Sequence, residues 1–127
     1  TKNQVKNPKK GDFKKLIVWQ KAMDIVVATY TLTQKLPTSE IYGLSNQMRR
    51  AAVSVPSNIA EGQSRNSDKE FAQFLTIARG SLSELETQLH ICARVNFLSD
   101  SDIAEVITNI KEVGKMLRTL ITKLSKN

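Results

Sequence analysis

The sequence predicts an all-α chain folded as an antiparallel up-down-up-down four-helix bundle, and three observations carry this. Four stretches of about twenty or more residues place apolar residues at a period near 3.6, the spacing of one helix face. No run alternates with the period of two that a half-buried strand needs. Glycine and proline sit mainly near the short joints between the four stretches. Helices of this length are roughly 30–40 Å long, and short turns between such rods fold each one back along its predecessor.

The first helix is expected over residues 16–36. Trp19, Ala22, Met23, Val26, Tyr30 and Thr33 share one face, Val18, Ile25 and Leu36 widen it, and Ile17 and Val27 lie outside it. Pro37 stops the helix. After a Tyr42-Gly43 turn the second helix covers residues 44–64, with Leu44, Met48, Ala51, Ala52, Val55 and Ile59 on one stripe. Pro56 removes an N–H and crowds the Ala52 carbonyl, so a kink is expected there, with Ser54 and Ser57 placed to bond the freed groups. The third helix opens on Ser67-Asp68-Lys69-Glu70, the pattern of a capping box. Phe71, Phe74, Leu75, Ala78, Leu82, Leu85, Leu89 and Cys92 mark its inner face, and Ile77, Ile91 and Val95 fall off that stripe. The fourth follows Phe97-Leu98 with Ser99 or Ser101 as N-cap, and Asp100 and Asp102 suit its positive end. Its apolar face includes Ile103, Val106, Ile110, Val113, Leu117, Ile121 and Leu124. Lys111, Lys115 and Arg118 line one flank, where cations late in a helix complement its negative end.

A length of 127 residues fits one domain, divided as a basic N-terminal tail at 1–15 and a bundle at 16–127. The net charge is +7, and the tail carries +5 of it, six lysines against Asp12 alone. The other 112 residues hold 13 basic and 11 acidic side chains, a net of +2. A lysine-rich tail attracts polyanions by counterion release, and the same composition suits a solvated leader. Cys92 is the sole cysteine, so no intrachain disulfide forms and a reducing, cytoplasmic setting is expected. No run of about 18 apolar residues spans a membrane, no signal-peptide core is seen, and Thr1 in place of Met suggests a processed or trimmed start.

Ser54 or Ser57 as a nucleophile would need a positioned base, and His90 is the only histidine. Neither a Gly-x-Ser-x-Gly elbow nor a Ser-x-x-Lys element is present. Glu86 and His90 share a face four residues apart, an ordinary surface pair without further ligands, while Glu84 and Glu86 diverge. The five glycines have no phosphate-loop spacing. No catalytic residue, metal, cofactor or small-molecule substrate is therefore expected. Lys9, Lys10, Lys14, Lys15, Arg49, Arg50, Arg65, Lys69 and Arg79 are the candidate phosphate contacts, although several can instead pair with Glu61, Asp68, Glu70 or Glu84. Helices one and three carry more apolar surface than one bundle needs, which points to an oligomer interface at Ile17, Val18, Ile25, Ile77, Ile91 and Val95.

The stretches YGLSNQMRRAAVSVPSNIAEGQSR (42–65) and KEFAQFLTIARGSLSELETQL (69–89) resemble the bacterial four-helix-bundle family encoded in intervening sequences of 23S ribosomal RNA genes. Accessory variability proteins of diversity-generating retroelements are relatives of that family. The likeness covers about residues 13–124 and leaves out the Lys-rich segment 1–12. It implies a bundle that assembles into a homopentameric, barrel-like ring without enzymatic activity. For the retroelement relatives it implies binding of nucleic acid and a reverse transcriptase through a basic surface; the other members carry an old label as ribosomal protein. The family pattern falls on Arg49, Arg50, Pro56, Asn58, Glu61, Gly62, Phe74, Gly80, Glu84, Glu86 and Leu89, mainly as fold and assembly residues. The weak charge of residues 16–127 departs from a strongly basic barrel. The expected function is a non-enzymatic homo-oligomer, pentameric by resemblance, that binds nucleic acid, RNA above all, through phosphates. The alternative is a scaffold that recruits a protein such as a reverse transcriptase without touching nucleic acid.

Overall fold

The computed structural model describes residues 10–126, which form four α-helices: α1 (Ile17–Thr33), α2 (Leu44–Gln63), α3 (Asp68–Arg94) and α4 (Asp100–Ser125). Single 3-10 turns at Phe13–Lys15 and Thr38–Glu40 precede α1 and α2, and no strand occurs among the described residues. Residues 1–9, with the candidate Lys9, lie outside the described residues.

Side-chain caps set the starts of α3 and α4. Ser67 Oγ accepts the Glu70 amide at 3.1 Å and begins α3. The Glu70 carboxylate takes the Ser67 hydroxyl at 3.4 Å rather than the Ser67 amide, so the expected reciprocal box is half formed there. It is complete at α4, where Ser99 Oγ accepts the Asp102 amide at 3.0 Å and Asp102 Oδ2 accepts the Ser99 amide at 2.9 Å. Asn96 ends α3 at φ 65°, a left-handed conformation that asparagine tolerates. Its amide bonds the Ala93 carbonyl at 3.3 Å and the Phe97 amide the Cys92 carbonyl at 2.9 Å, the two bonds of a Schellman turn.

Asp102 also receives Lys35 Nζ at 3.2 Å. The Ser99 amide, then Lys35 and the Ser99 side chain, hold its carboxyl below the usual carboxylate range. A carboxyl lowered by folding adds stability above its unfolded value of about 3.9 and loses that contribution as the pH falls through the folded value. Asp102→Asn is therefore expected to show a thermal deficit near neutral pH that narrows below about pH 4. Ser99→Ala is expected to cost about 1 kcal/mol in chemical denaturation.

Each helix packs against two others: α1 on α2, α2 on α3, α3 on α4, and α4 back on α1. Cross-helix partners run in opposite order in two of these pairs, α2–α3 and α1–α4. Met48 and Ser54 meet Cys92 and Ser81, and Lys21 and Lys35 meet Glu112 and Asp102. Ile25, Met48, Ile59, Leu75, Leu85, Leu89, Val113 and Leu117 are fully buried at the centre. A Leu of this kind stabilises the fold by about 2–3 kcal/mol through burial alone.

The inner face of α1 is Val18, Ala22, Ile25, Thr29, Leu32 and Thr33. Val18 and Ile25, expected at an oligomer interface, are core residues with 5% and 0% exposure. The helix is turned by about a quarter of a revolution from the face its hydrophobic residues suggest. Thr29 conceals the true face, while Thr33 belongs to both the expected and the observed one. Thr29 and Thr33 are buried, and their hydroxyls donate to the carbonyls of Ile25 at 2.8 Å and Thr29 at 2.9 Å, so neither needs water.

α2 runs unbroken through the buried Pro56. Ser54 does not serve the groups freed by the proline ring. Its Oγ pairs with Ser81 Oγ at 2.8 Å, and Asn58 Nδ2 donates to the Ser54 carbonyl and Oγ at 2.8 and 2.9 Å. The segment placed in a basic tail begins earlier than expected to belong to the bundle. The Gly11 amide donates to Gln63 Oε1 at 2.6 Å, Lys10 Nζ to the Asn66 carbonyl at 3.2 Å, and Phe13 stands edge-on to Trp19 at 5.3 Å.

Candidate nucleic-acid interface

Lys111, Lys115 and Arg118 stand at i, i+4 and i+7, which puts them on one face of α4. α3 packs beside that face and adds Arg79, Ser83 and Glu86. The result is a groove of about 260 Å³, completed by Leu82, Ile110 and Gly114. Its two walls come from helices fixed in register by the core residues Leu82, Leu85, Ile110 and Val113.

None of the four cations has a carboxylate oxygen within 4.0 Å among the described residues. The one acid that helical spacing offers them is engaged elsewhere. Glu112 lies three residues before Lys115 but is held by Lys21 Nζ across α1 at 2.6 Å. Glu86, the one acid in the groove, has Oε2 at 3.6 Å from His90 Nε2. Four cations against one carboxylate, in a concave lining, focus a positive potential. The lining holds no aromatic ring and no side-chain amide. What it can bind is negative charge.

Of the eight described cations among the nine nominated from sequence, only Arg79 lies in this groove. Arg49 Nε donates to Thr33 Oγ1 at 2.8 Å and its guanidinium sits 4.5 Å above the Tyr30 ring, beside a recess of about 630 Å³ at the α1–α2 turn. Arg50 is exposed on α2. Arg65 bridges Glu61 at 3.0 Å and Glu70 at 4.0 Å and covers the Phe74 ring. Lys69 lines another recess with Gln73 and Thr76, Lys10 bonds Asn66, Lys15 pairs with Asp12 at 3.6 Å, and Lys14 is exposed. Lys10 is drawn to the turn that Arg65 occupies, while Arg49 and Arg50 lie several turns away along α2. Lys111, Lys115 and Arg118 were expected only to complement a helix end; the signal for them was the i, i+4, i+7 spacing.

Ile17, Met23, Val27 and Tyr30 are exposed on α1, as are Ile77 and Ile91 on α3 and Val95 just after it. Cys92 is buried against Met48 with its sulfurs 3.5 Å apart, and burial, then the charge of Glu40, pushes its thiol up to about 11. It stays protonated at neutral pH. Among the described residues no three His, Cys, Asp or Glu side chains cluster to hold a metal, and no helix is long and apolar enough to cross a membrane.

The fold is similar to that of a protein of unknown function from the S23 ribosomal protein family of Bacteroides thetaiotaomicron VPI-5482, whose crystal structure was solved at 1.70 Å. The TM-score is 0.77 at 24% identity, over 83% of this chain and 98% of that one. At this identity the likeness is one of fold. No curated protein matches the chain. Residues 14–119 match the description 23S rRNA-intervening sequence protein, and the chain belongs to that family.

Proposed function

We propose that this chain is a non-enzymatic, cytoplasmic, homo-oligomeric protein that binds nucleic acid, RNA above all, through phosphate contacts. The observation that carries the proposal is the α3–α4 groove, where Arg79, Lys111, Lys115 and Arg118 lack acidic partners among the described residues. A cation held on a rigid helix without a carboxylate is ready to meet a phosphate, and its released counterions drive the association. The family's tie to 23S rRNA favours RNA over DNA. The exposed Ile17, Ile77, Ile91 and Val95 favour self-association, and the number five rests on family resemblance.

Fluorescence anisotropy with a labelled RNA between 50 and 200 mM salt tests the binding. Neutralising four phosphates on a single strand gives a log–log slope of about −3, so affinity is expected to fall about fiftyfold across that range. A flat salt response, or no binding at 50 mM, contradicts the proposal. Light scattering is expected to return a multiple of 14.2 kDa, and a lone protomer at high concentration contradicts self-association.

A further inference from the structure

Gly114 is a mid-helix glycine that the protomer does not need. It lies in α4 between Lys111 and Arg118, and a Cβ built on it meets nothing within 4 Å. Glycine inside a helix is unfavourable relative to alanine, because its backbone loses more freedom on folding. Intramolecular packing does not explain it, whereas close approach of a ligand to a helix backbone does. The cations flank it on both sides, with Lys115 next in sequence and Arg79 supplied by α3.

We infer that the groove takes a single nucleic-acid strand, laid with a phosphodiester against α4 at Gly114 and read without regard to base. This rests on the nucleic-acid proposal above and adds the seat, the strandedness and the specificity. Lys111 and Arg118 are seven residues apart, about 10 Å along the helix, so the row of cations follows a short run of phosphates. The walls are two packed helices whose axes stand about 8–10 Å apart, a cleft for one strand rather than for the breadth of a duplex. The lining has no ring to stack on and no amide to read adenine, and in this reading its arginines and lysines are committed to phosphates rather than to base edges.

The test measures RNA affinity and melting temperature for Gly114→Ala, Gly114→Leu and Gly80→Ala, with Lys115→Gln as reference. Gly80 is also a helical glycine with open space at its Cβ, but lies outside the groove. Both alanine variants are expected to melt about 3 °C higher. Gly114→Leu is expected to bind single-stranded RNA about tenfold more weakly, as for one lost charge-assisted contact, Gly114→Ala less so, and Gly80→Ala as tightly as the parent. Oligo(A), oligo(U) and oligo(C) of equal length are expected to bind within about threefold of one another, and a duplex more weakly. If Gly114→Leu binds like the parent while Lys115→Gln is weakened, the seat is overturned and phosphate binding in the groove stands. If Lys115→Gln is also unaffected, the underlying proposal falls with it. A duplex bound as tightly as a strand, or a tenfold preference among the oligonucleotides, overturns the strandedness or the base-blind reading respectively.

Discussion

Replacing Lys111, Lys115 and Arg118 together by glutamine is expected to weaken RNA binding about a hundredfold at 50 mM salt. The three side chains share one groove and, among the described residues, have no acidic partner to release them from, so each contributes its full phosphate contact. At about 1 kcal/mol each, three contacts give about 3 kcal/mol, and every 1.4 kcal/mol is tenfold. The slope of log affinity against log salt is expected to flatten by about 2. Glutamine keeps part of the side-chain stem that shields apolar surface, so helicity and melting temperature are expected to stay near those of the parent. A matched triple replacement of Arg49, Arg50 and Arg65 is the counter-test. Arg49 is held over Tyr30 and Arg65 is paired with Glu61, so affinity is expected to change much less. The reverse ranking would locate the binding surface on α2.

Gly62→Ala is expected to destabilise the fold by about 3 kcal/mol, the upper part of the range for overpacking. An added Cβ would stand 2.8 Å from Phe74 Cβ, 2.9 Å from Phe71 Cδ1 and 3.2 Å from the Phe71 carbonyl oxygen. Phe74 Cβ and the Phe71 carbonyl are tied to the α3 backbone, so relief requires the two helices to part at their turn. Thermal melting is expected to drop by about 10 °C. The same substitution at Gly114 is expected to raise the melting temperature. The contrast isolates helix packing from helix propensity.

The four helices were legible because their starts and stops are local chemistry. Ser67 and Ser99 cap α3 and α4 where the sequence places caps, and Pro37 follows α1 within a few residues. The rotation of α1 was not legible. Thr29 is polar by type, yet it satisfies its hydroxyl on the preceding turn and packs inside, while Met23, Val27 and Tyr30 face out. A hydrophobic period finds a face only when polar type and exposure agree. Asn96 went unread as a helix stop because its role depends on a backbone conformation, φ 65°.

The groove was half legible. Lys111, Lys115 and Arg118 share a helix face by spacing alone, but Arg79 joins them only through the docking of α3 on α4. That Glu112 turns to Lys21 is a fact of the α1–α4 contact. The clusters at Arg49-Arg50 and Arg65-Lys69 are dense in sequence, and three of the four point to different surroundings once folded. Adjacent positions on a helix diverge by about 100°, so charge density along the chain is a poor guide to charge density in space.

Photo-crosslinking of a single-stranded RNA carrying a reactive base, followed by mass mapping of the attached peptides, tests the central claim most directly. The groove account predicts adducts within residues 79–86 and 111–118, lost when salt is raised and absent from the glutamine triple variant. Adducts confined to residues 42–65, or spread evenly over the surface at low salt, would contradict it.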